Sequence, residues 1–532
     1  MPLPLRAAVF TPVACRPGAF SAAAVMSLCT ALAIGPAAAG STTASNAPRH
    51  LQTGTAESGK STLGVEVHPT NGLVYVANSE ADTVTAIDTT SLATVANVPV
   101  ARHPVALDVD ETTGFIWVAS SYGDRIEVID GATNTVVRSI PVGWSPQDVE
   151  VDSTAGRAYV HHSTNSGSIV TVSVTVLDTA SYAVLADIPV SAEPTTGLAG
   201  SDLAVDESRR RVYVADLATN RVTVIDGSTD AIIDTIAVDQ PGSLAMDSST
   251  GTLYIGSYQN KRIIAIDPMS GAELAAFSDT RPAMLTVDEE HGLLYAPHRS
   301  VAKDELIVLD ATTLEPVDRV ELDASPYETA IDPSTQRLFT TKLYSTALTV
   351  VTRYHQPKVI SAAPPSGTVD VPYSHAITAE SFHPVTFTVT GGALPSGLAL
   401  DATTGVVSGT PTEESAGPVT ITVANAGHAA EVNYDVTVNA APVVPDPHPT
   451  PGPAPITPGT PSDAGTVPAK AVNGSLSATG VDGLPIFLGA TAVLLLGAAA
   501  VVFASIRRSR ARRIPASSGA TDQAGTIGTA GE

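Results

Sequence analysis

Short apolar stretches and polar turns alternate between about residues 62 and 352 in one recurring order. A strand ending in Asp is followed by a turn, a second strand built around an aromatic-Val pair, and a third strand ending in another Asp. Leu107-Asp108-Val109-Asp110 leads into Gly114-Phe115-Ile116-Trp117-Val118-Ala119, and Leu203-Ala204-Val205-Asp206 leads into Arg211-Val212-Tyr213-Val214-Ala215. Glu127-Val128-Ile129-Asp130-Gly131 and Thr223-Val224-Ile225-Asp226-Gly227 are the matching third strands. Period-two alternation rich in Val and Ile, bounded by Asp and Gly, predicts β-strands separated by tight turns. The first Asp recurs at 110, 152, 206, 247, 288 and 332, with His68 in its place in the first copy, at spacings of 41 to 44 apart from one step of 54. A single four-stranded sheet cannot bury both its faces, so a period of this length reads as a propeller blade. Seven copies predict an all-β, seven-bladed β-propeller over residues 40–355, with the first strand of each blade lining the channel. The seventh copy ends one strand short, at Leu348-Thr349-Val350-Val351, and the segment from Arg49 to Thr55 is expected to supply the missing edge.

The texture changes after this repeat. Residues 357–439 carry alternating strands such as Val385-Thr386-Phe387-Thr388-Val389 without the 42-residue phrase, which predicts a separate Ig-like β-sandwich. Ten prolines fall in the 28 residues from Ala441 to Pro468, a composition that forms an extended stalk rather than a core, so 441–475 is read as a linker. The apolar run Leu484 to Ala504, followed by Arg507, Arg508, Arg510, Arg512 and Arg513, predicts one C-terminal transmembrane helix with a cytoplasmic Arg-rich stop. Residues 514–532 are read as a disordered tail. At the other end, Arg6 and Arg16, an apolar stretch from about Ala19 to Ile34, and Ala37-Ala38-Ala39 predict a signal peptide over 1–39. Both cysteines, Cys15 and Cys29, lie inside it, so the exported protein is expected to lack disulfides, thiolate metal sites and cysteine nucleophiles. Leu28 stands where a lipoprotein signal needs a small residue, which argues against lipid attachment at Cys29.

Charge narrows the partners. Removing Asp522 and Glu532 from the 53 acidic residues, and Arg6, Arg16 and the five tail arginines from the 28 basic ones, leaves 51 acidic and 21 basic residues over 40–483. So negative a surface repels phosphate backbones, which excludes nucleic acid and leaves an extracellular glycan, protein or cation as the expected partner.

Three resemblances attach to particular motifs. Tyr75-Val76-Ala77-Asn78, together with the proline-led steps Ser145-Pro146, Gln240-Pro241, Arg281-Pro282 and Ser325-Pro326, resembles the YVTN family of β-propellers over roughly residues 60–355. That resemblance implies a propeller, often secreted or at a surface, and no shared reaction. Gly367-Thr368-Val369, Leu394-Pro395-Ser396-Gly397-Leu398, Thr404-Gly405, Ser408-Gly409-Thr410-Pro411 and Tyr434 resemble the "putative Ig" family, which is related to cadherin-like sandwiches. Leu476-Ser477-Ala478-Thr479-Gly480, ahead of the apolar run and arginines, resembles a sortase sorting signal of actinobacterial type. Leu476, Thr479 and Gly480 fit it, Ser477 departs from it, and the tail is longer than usual. The resemblance implies a transient encounter with sortase and cleavage between Thr479 and Gly480; a retained membrane anchor is the alternative.

The repeated Asp residues enter turns, where their carboxylates accept backbone hydrogen bonds, and the once-per-blade aromatics Tyr75, Trp117, Tyr159, Tyr213, Tyr254, Tyr295 and Phe339 are expected to pack between sheets. Positions that differ between copies carry more information. Glu66, Asp108, Asp148, Glu150 and Asp202 cluster on the first strands of blades 1 to 4, where blades 5 and 6 have Ala245 and Thr286. Hard oxygen ligands at one channel mouth suit calcium or magnesium, and a solvated acidic rim is the simpler alternative. Two residues beyond each aromatic-Val pair lie Asn78, Ser120, His162, Asp216, Ser257, His298 and Lys342, of which His162, Asp216 and His298 are read as candidate ligand-surface residues. The extra length of the 54-residue step, in His161 to Ser173 and Ser191 to Gly200, marks loops on one face of blade 3.

Enzyme motifs are absent: there is no Gly-x-Ser-x-Gly elbow, His-Glu-x-x-His pair or phosphate loop, and two tryptophans are too few for the packing of quinone-dependent propellers. The expectation is a cell-surface, non-catalytic binding or adhesion protein with no catalytic residues, requiring no cofactor, with calcium the cation its acidic set would take. Two rivals stand beside it, a secreted metal-dependent lactonase or hydrolase using the acidic mouth and a purely structural envelope component.

Overall fold

The computed structural model describes residues 47–165, 169–193, 202–300, 303–323 and 325–442. The predicted signal peptide, transmembrane run, arginine cluster, tail, Leu476, Thr479 and Gly480, and nearly all of the proline stalk and of the loop from Ser191 to Gly200, lie outside them. Among the described residues no helix is long and apolar enough to cross a membrane.

The described chain is all-β apart from a short 3-10 turn at Ser121–Gly123. Its first part forms seven four-stranded sheets, numbered here in the order of their innermost strands: Thr62–Val67, Pro104–Asp110, Pro146–Asp152, Leu203–Asp206, Ser243–Asp247, Thr286–Asp288 and Pro326–Asp332. In sheets 1 to 6 four consecutive antiparallel strands run outward from the innermost one, and the outermost is largely exposed, as in Ala231–Ala237. Sheet 7 takes its outermost strand from Arg49–Glu57, paired antiparallel with Ala347–Tyr354, so the edge that the repeat leaves open is covered from the other end of the domain. Each innermost strand touches those of its two neighbours, and the contacts run from sheet 1 through sheet 7 and back to sheet 1.

The repeated residues hold this scaffold together. Asp110 accepts the N–H groups of Thr112 at 2.9 Å and Thr113 at 3.3 Å, and Asp152, Asp206, Asp247, Asp288 and Asp332 accept turn N–H groups in the same way. Gly114, at φ 72, supplies the left-handed corner that an L side chain resists. Tyr75, Trp117, Tyr159, Tyr213, Tyr254, Tyr295 and Phe339 are all fully buried between sheets. Tyrosine hydroxyls among them tie one sheet to the next, as in Tyr254 to the Ala311 carbonyl at 2.8 Å and Tyr75 to Asn134 Oδ1 at 2.8 Å.

The second part is an Ig-type sandwich. One sheet orders Gly367–Thr368, Ala429–Asn439, Ser415–Ala424 and Thr386–Gly391, with a parallel first pair; the other orders Tyr373–Ala376, Val406–Gly409 and Leu398–Leu400. Its core is Ile377, Phe387, Val407, Val419, Ile421, Val423, Tyr434 and Val436. It docks on the end of sheet 7, where Asn425 Nδ2 donates to the His355 carbonyl at 2.8 Å and the rings of Tyr354 and His383 lie 4.4 Å apart.

Candidate functional site

An innermost strand is a sheet edge, so half of its N–H groups point into the channel with no ladder partner. In sheets 2 to 4 side-chain carboxylates fill that need across the sheet boundary. Asp108 Oδ2 accepts from Val151 N at 2.7 Å, Asp148 Oδ2 from Leu203 N at 3.0 Å, and Asp202 Oδ2 from Leu244 N at 2.6 Å. Each bond runs from one sheet to the next, as a staple. Glu328 does the same from sheet 7 to Val65 of sheet 1, and Thr286 Oγ1 donates from sheet 6 to the Thr329 carbonyl at 2.7 Å.

The structure therefore brings Glu66, Asp108, Asp148, Glu150 and Asp202 together and adds Glu328, around a cavity of about 80 Å³. Glu328 stands four residues before the closing Asp332, the same register as Asp148 and Asp202 before Asp152 and Asp206. That register was the available signal for it. Burial is the main cause that raises all six carboxyls, and repulsion among them adds to it, taking Glu66 to about 8 and Asp108 to about 7. The side chains of Asp148 and Asp202 are hydrogen-bonded to each other, which lowers the first and raises the second on top of the rise that burial gives both. None of the six forms an ion pair among the described residues, and no three His, Cys, Asp or Glu side chains there are arranged to hold a metal ion.

The positions read as ligand-surface candidates are the last residues of the second strands or lie within them, still inside the ladder. His162 is buried, with Nδ1 3.1 Å from the Trp144 carbonyl and Nε2 3.0 Å from Thr175 Oγ1. Asp216 is fully buried; one oxygen accepts from Thr219 N and the other has no partner. His298 is half-buried, and its Nδ1 accepts from Arg281 N at 2.9 Å, with Thr280 Oγ1 3.1 Å away. Burial lowers the pKa of His298, which suits the neutral acceptor. The second and third strands of sheet 3, Arg157–Asn165 and Val170–Asp178, run on as a longer ladder, so the extra residues after His161 begin as strand.

A cavity of about 710 Å³ opens where sheets 5, 6 and 7 meet, and sequence reasoning passed over it. Arg281, Arg299, Tyr258, Tyr327 and Tyr344 are on its wall. The Arg299 guanidinium lies 5.3 Å from the Tyr258 ring centroid and 5.7 Å from that of Tyr327, and Arg281 lies 5.8 Å from Tyr258. Neither arginine has a carboxylate partner among the described residues, and the buried Nε of Arg299 and Oγ of Ser243 have no hydrogen-bond partner there. Backbone bonds fix the wall in place: Ala283 N to Pro297 O at 2.8 Å, Met284 N to Tyr327 O at 3.0 Å, and Arg299 N to Arg281 O at 3.2 Å. Gly256 is needed beside Ser243, since a Cβ there would come within 2.3 Å of the serine hydroxyl.

The opening has a local cause. In sheets 1, 2 and 4 the turn between the second and third strands holds Asp82, Asp124 or Asn220 in the left-handed region, and each side chain accepts an N–H from the loop leading to the next sheet: His103 at 2.9 Å, Ser145 at 3.0 Å and Gln240 at 3.0 Å. Lys261 occupies the corresponding corner of sheet 5 at φ 54, whereas in sheet 7 that position is Thr346 and the N–H of Ser61 is met by the Ser345 carbonyl; Tyr344, at φ 61, stands two residues earlier in the turn. Lys261 offers no acceptor there, and Tyr344 is 83% exposed.

Two family patterns match parts of the chain: a YNCE-like beta-propeller over residues 40–157 and a putative Ig domain over 356–439. Neither spans half of the chain. No curated protein matches. Among solved structures, the *Kuenenia stuttgartiensis* hydrazine synthase is similar at 15% identity and a TM-score of 0.46, over 56% of this chain and 97% of that one. At that level the likeness carries no argument about function. A propeller-like domain joined to an Ig-type domain is the organisation of a binding protein of the extracellular type.

Proposed function

We propose that this chain is an exported, non-catalytic binding and adhesion protein, whose seven sheets are the blades of a closed propeller and whose ligand sits in the Arg281/Arg299 cavity rather than in the acidic channel. The observation that carries this reading is the cavity itself: a 710 Å³ opening with two arginines lacking carboxylate partners, on a chain of formal net charge −25. Display follows from the sequence pattern, with export by the signal peptide, presentation through the Ig-type domain and proline stalk, and anchoring by the C-terminal helix or, after sortase cleavage at Thr479, by the wall. The channel carboxyls act as proton-holding staples, so no cofactor is required.

The test is capture of envelope or host-surface polysaccharide and protein by the purified full chain and by an Arg281→Ala/Arg299→Ala variant. The reading expects capture by the former and its loss in the latter at unchanged melting temperature. Equal capture by both, or hydrolysis of lactones and esters dependent on added metal, contradicts it.

A further inference from the structure

We infer that the cavity takes a saccharide unit bearing a carboxylate, such as a uronic acid within a longer glycan; this rests on the reading of the cavity as the ligand site. Three observations converge. First, the tyrosines occupy the faces of the two guanidiniums, with Tyr258 between Arg281 at 5.8 Å and Arg299 at 5.3 Å, which leaves the N–H edges to meet a ligand. A guanidinium edge matches a planar carboxylate through two parallel hydrogen bonds. The buried Nε of Arg299 has no partner among the described residues.

Second, the surroundings set the charge of the guest. Asp304 is on the same wall, and Tyr327 and Met284 border both this cavity and the carboxylate-lined channel. Two arginines against one wall carboxylate leave a single net positive charge, which a monoanion offsets and a phosphate dianion exceeds. Third, the rest of the wall suits a hydroxylated ring. Gln240, Gln259 and the unpartnered, buried hydroxyl of Ser243 offer donors and acceptors for sugar hydroxyls. Tyr344, exposed and bulky, is held in the left-handed region at φ 61. Such strain persists where a side chain has to be presented, and an exposed aromatic face stacks on a sugar ring.

The experiment is calorimetric titration of the purified full chain with tetragalacturonate, with its methyl-esterified neutral counterpart and with inorganic phosphate. Tetragalacturonate is expected to bind, esterification to weaken it at least about tenfold, and phosphate not to compete. Arg299→Lys, which keeps the charge and loses the fork, and Tyr344→Ala are each expected to weaken binding about tenfold with the melting temperature held. Equal binding of the neutral oligomer, competition by phosphate, or no binding of any of the three probes overturns the carboxylate-sugar class. If envelope capture is still lost in Arg281→Ala/Arg299→Ala, the cavity reading survives that failure. Tetragalacturonate binding that neither variant changes overturns the inference and the cavity reading together.

Discussion

The two halves of the ring solve the same edge problem differently. Under sheets 2 to 4 the channel-facing N–H groups are met by Asp108, Asp148 and Asp202, and the space left is about 80 Å³. Across sheets 5 to 7 the positions in register with Asp108 are Ala245, Thr286 and Ala330, Glu328 of sheet 7 staples to sheet 1, Lys261 replaces a corner acceptor, and about 710 Å³ stays open. The contrast teaches that a concentration of charged side chains need not be where a ligand goes. Here the acids are occupied by the backbone and by one another, while the two arginines without carboxylate partners among the described residues lie on the other side.

The contrast is broken most severely by cutting a staple. Asp108→Ala removes the acceptor of both Val109 N and Val151 N. It is expected to cost about 3 kcal/mol of stability at pH 6, read by urea unfolding, because a buried N–H loses its partner. A loss under about 1 kcal/mol would place the carboxylate among solvated rim charges.

Next comes pH. Glu66 is raised to about 8 in the folded chain, so between about pH 4.5 and 8 the folded state holds a proton that the unfolded state has released. Stability contributed by that proton is complete at the acid end of the window and is lost as pH rises through the folded value. The chain should thus be more stable at pH 5.5 than at pH 8.5, by on the order of 2 kcal/mol, and Glu66→Gln should flatten the slope. Calcium supplied at pH 8.5 sharpens the point: the staple reading expects no rise in melting temperature, and a rise abolished by Asp108→Asn with Glu150→Gln would assign the carboxylates to a cation.

On the open side the expected stability effects are smaller. Tyr344→Asn puts at this left-handed position a residue type that tolerates it and should stabilise the chain by about 1 kcal/mol while weakening ligand capture. Arg299→Ala should change stability by less than about 0.5 kcal/mol, since no salt bridge is lost. A large destabilisation by Arg299→Ala would make the arginine a structural strut.

Much of this scaffold was legible in the sequence because each copy repeats its own signals locally. The Asp turns, the buried aromatics and the covering strand Arg49–Glu57 all follow from one phrase and the place where it stops. Glu328 escaped notice because the acidic set was read as belonging to copies 1 to 4, although its register before Asp332 matched theirs. His162 and Asp216 looked like loop residues since they follow the aromatic-Val pair, yet the ladder runs through them and buries both. The cavity was not legible in one copy. Arg281 and Arg299 both flank sheet 6, whereas Tyr258 comes from sheet 5 and Tyr344 from sheet 7, and the four meet only once the ring brings the sheets together. A linear trace beside it is Lys261, standing where Asp82, Asp124 and Asn220 stand in other copies.

Hydrogen-deuterium exchange of the full chain with and without saturating tetragalacturonate tests the division of the ring most directly. The account predicts new protection confined to the segments around Gln240–Ser243, Arg281–Met284, Arg299–Ser300 and Leu343–Tyr344, with the innermost strands Pro104–Asp110 and Pro146–Asp152 unchanged. Protection centred on those two strands, with the Arg281 and Tyr344 segments unaffected, would contradict it.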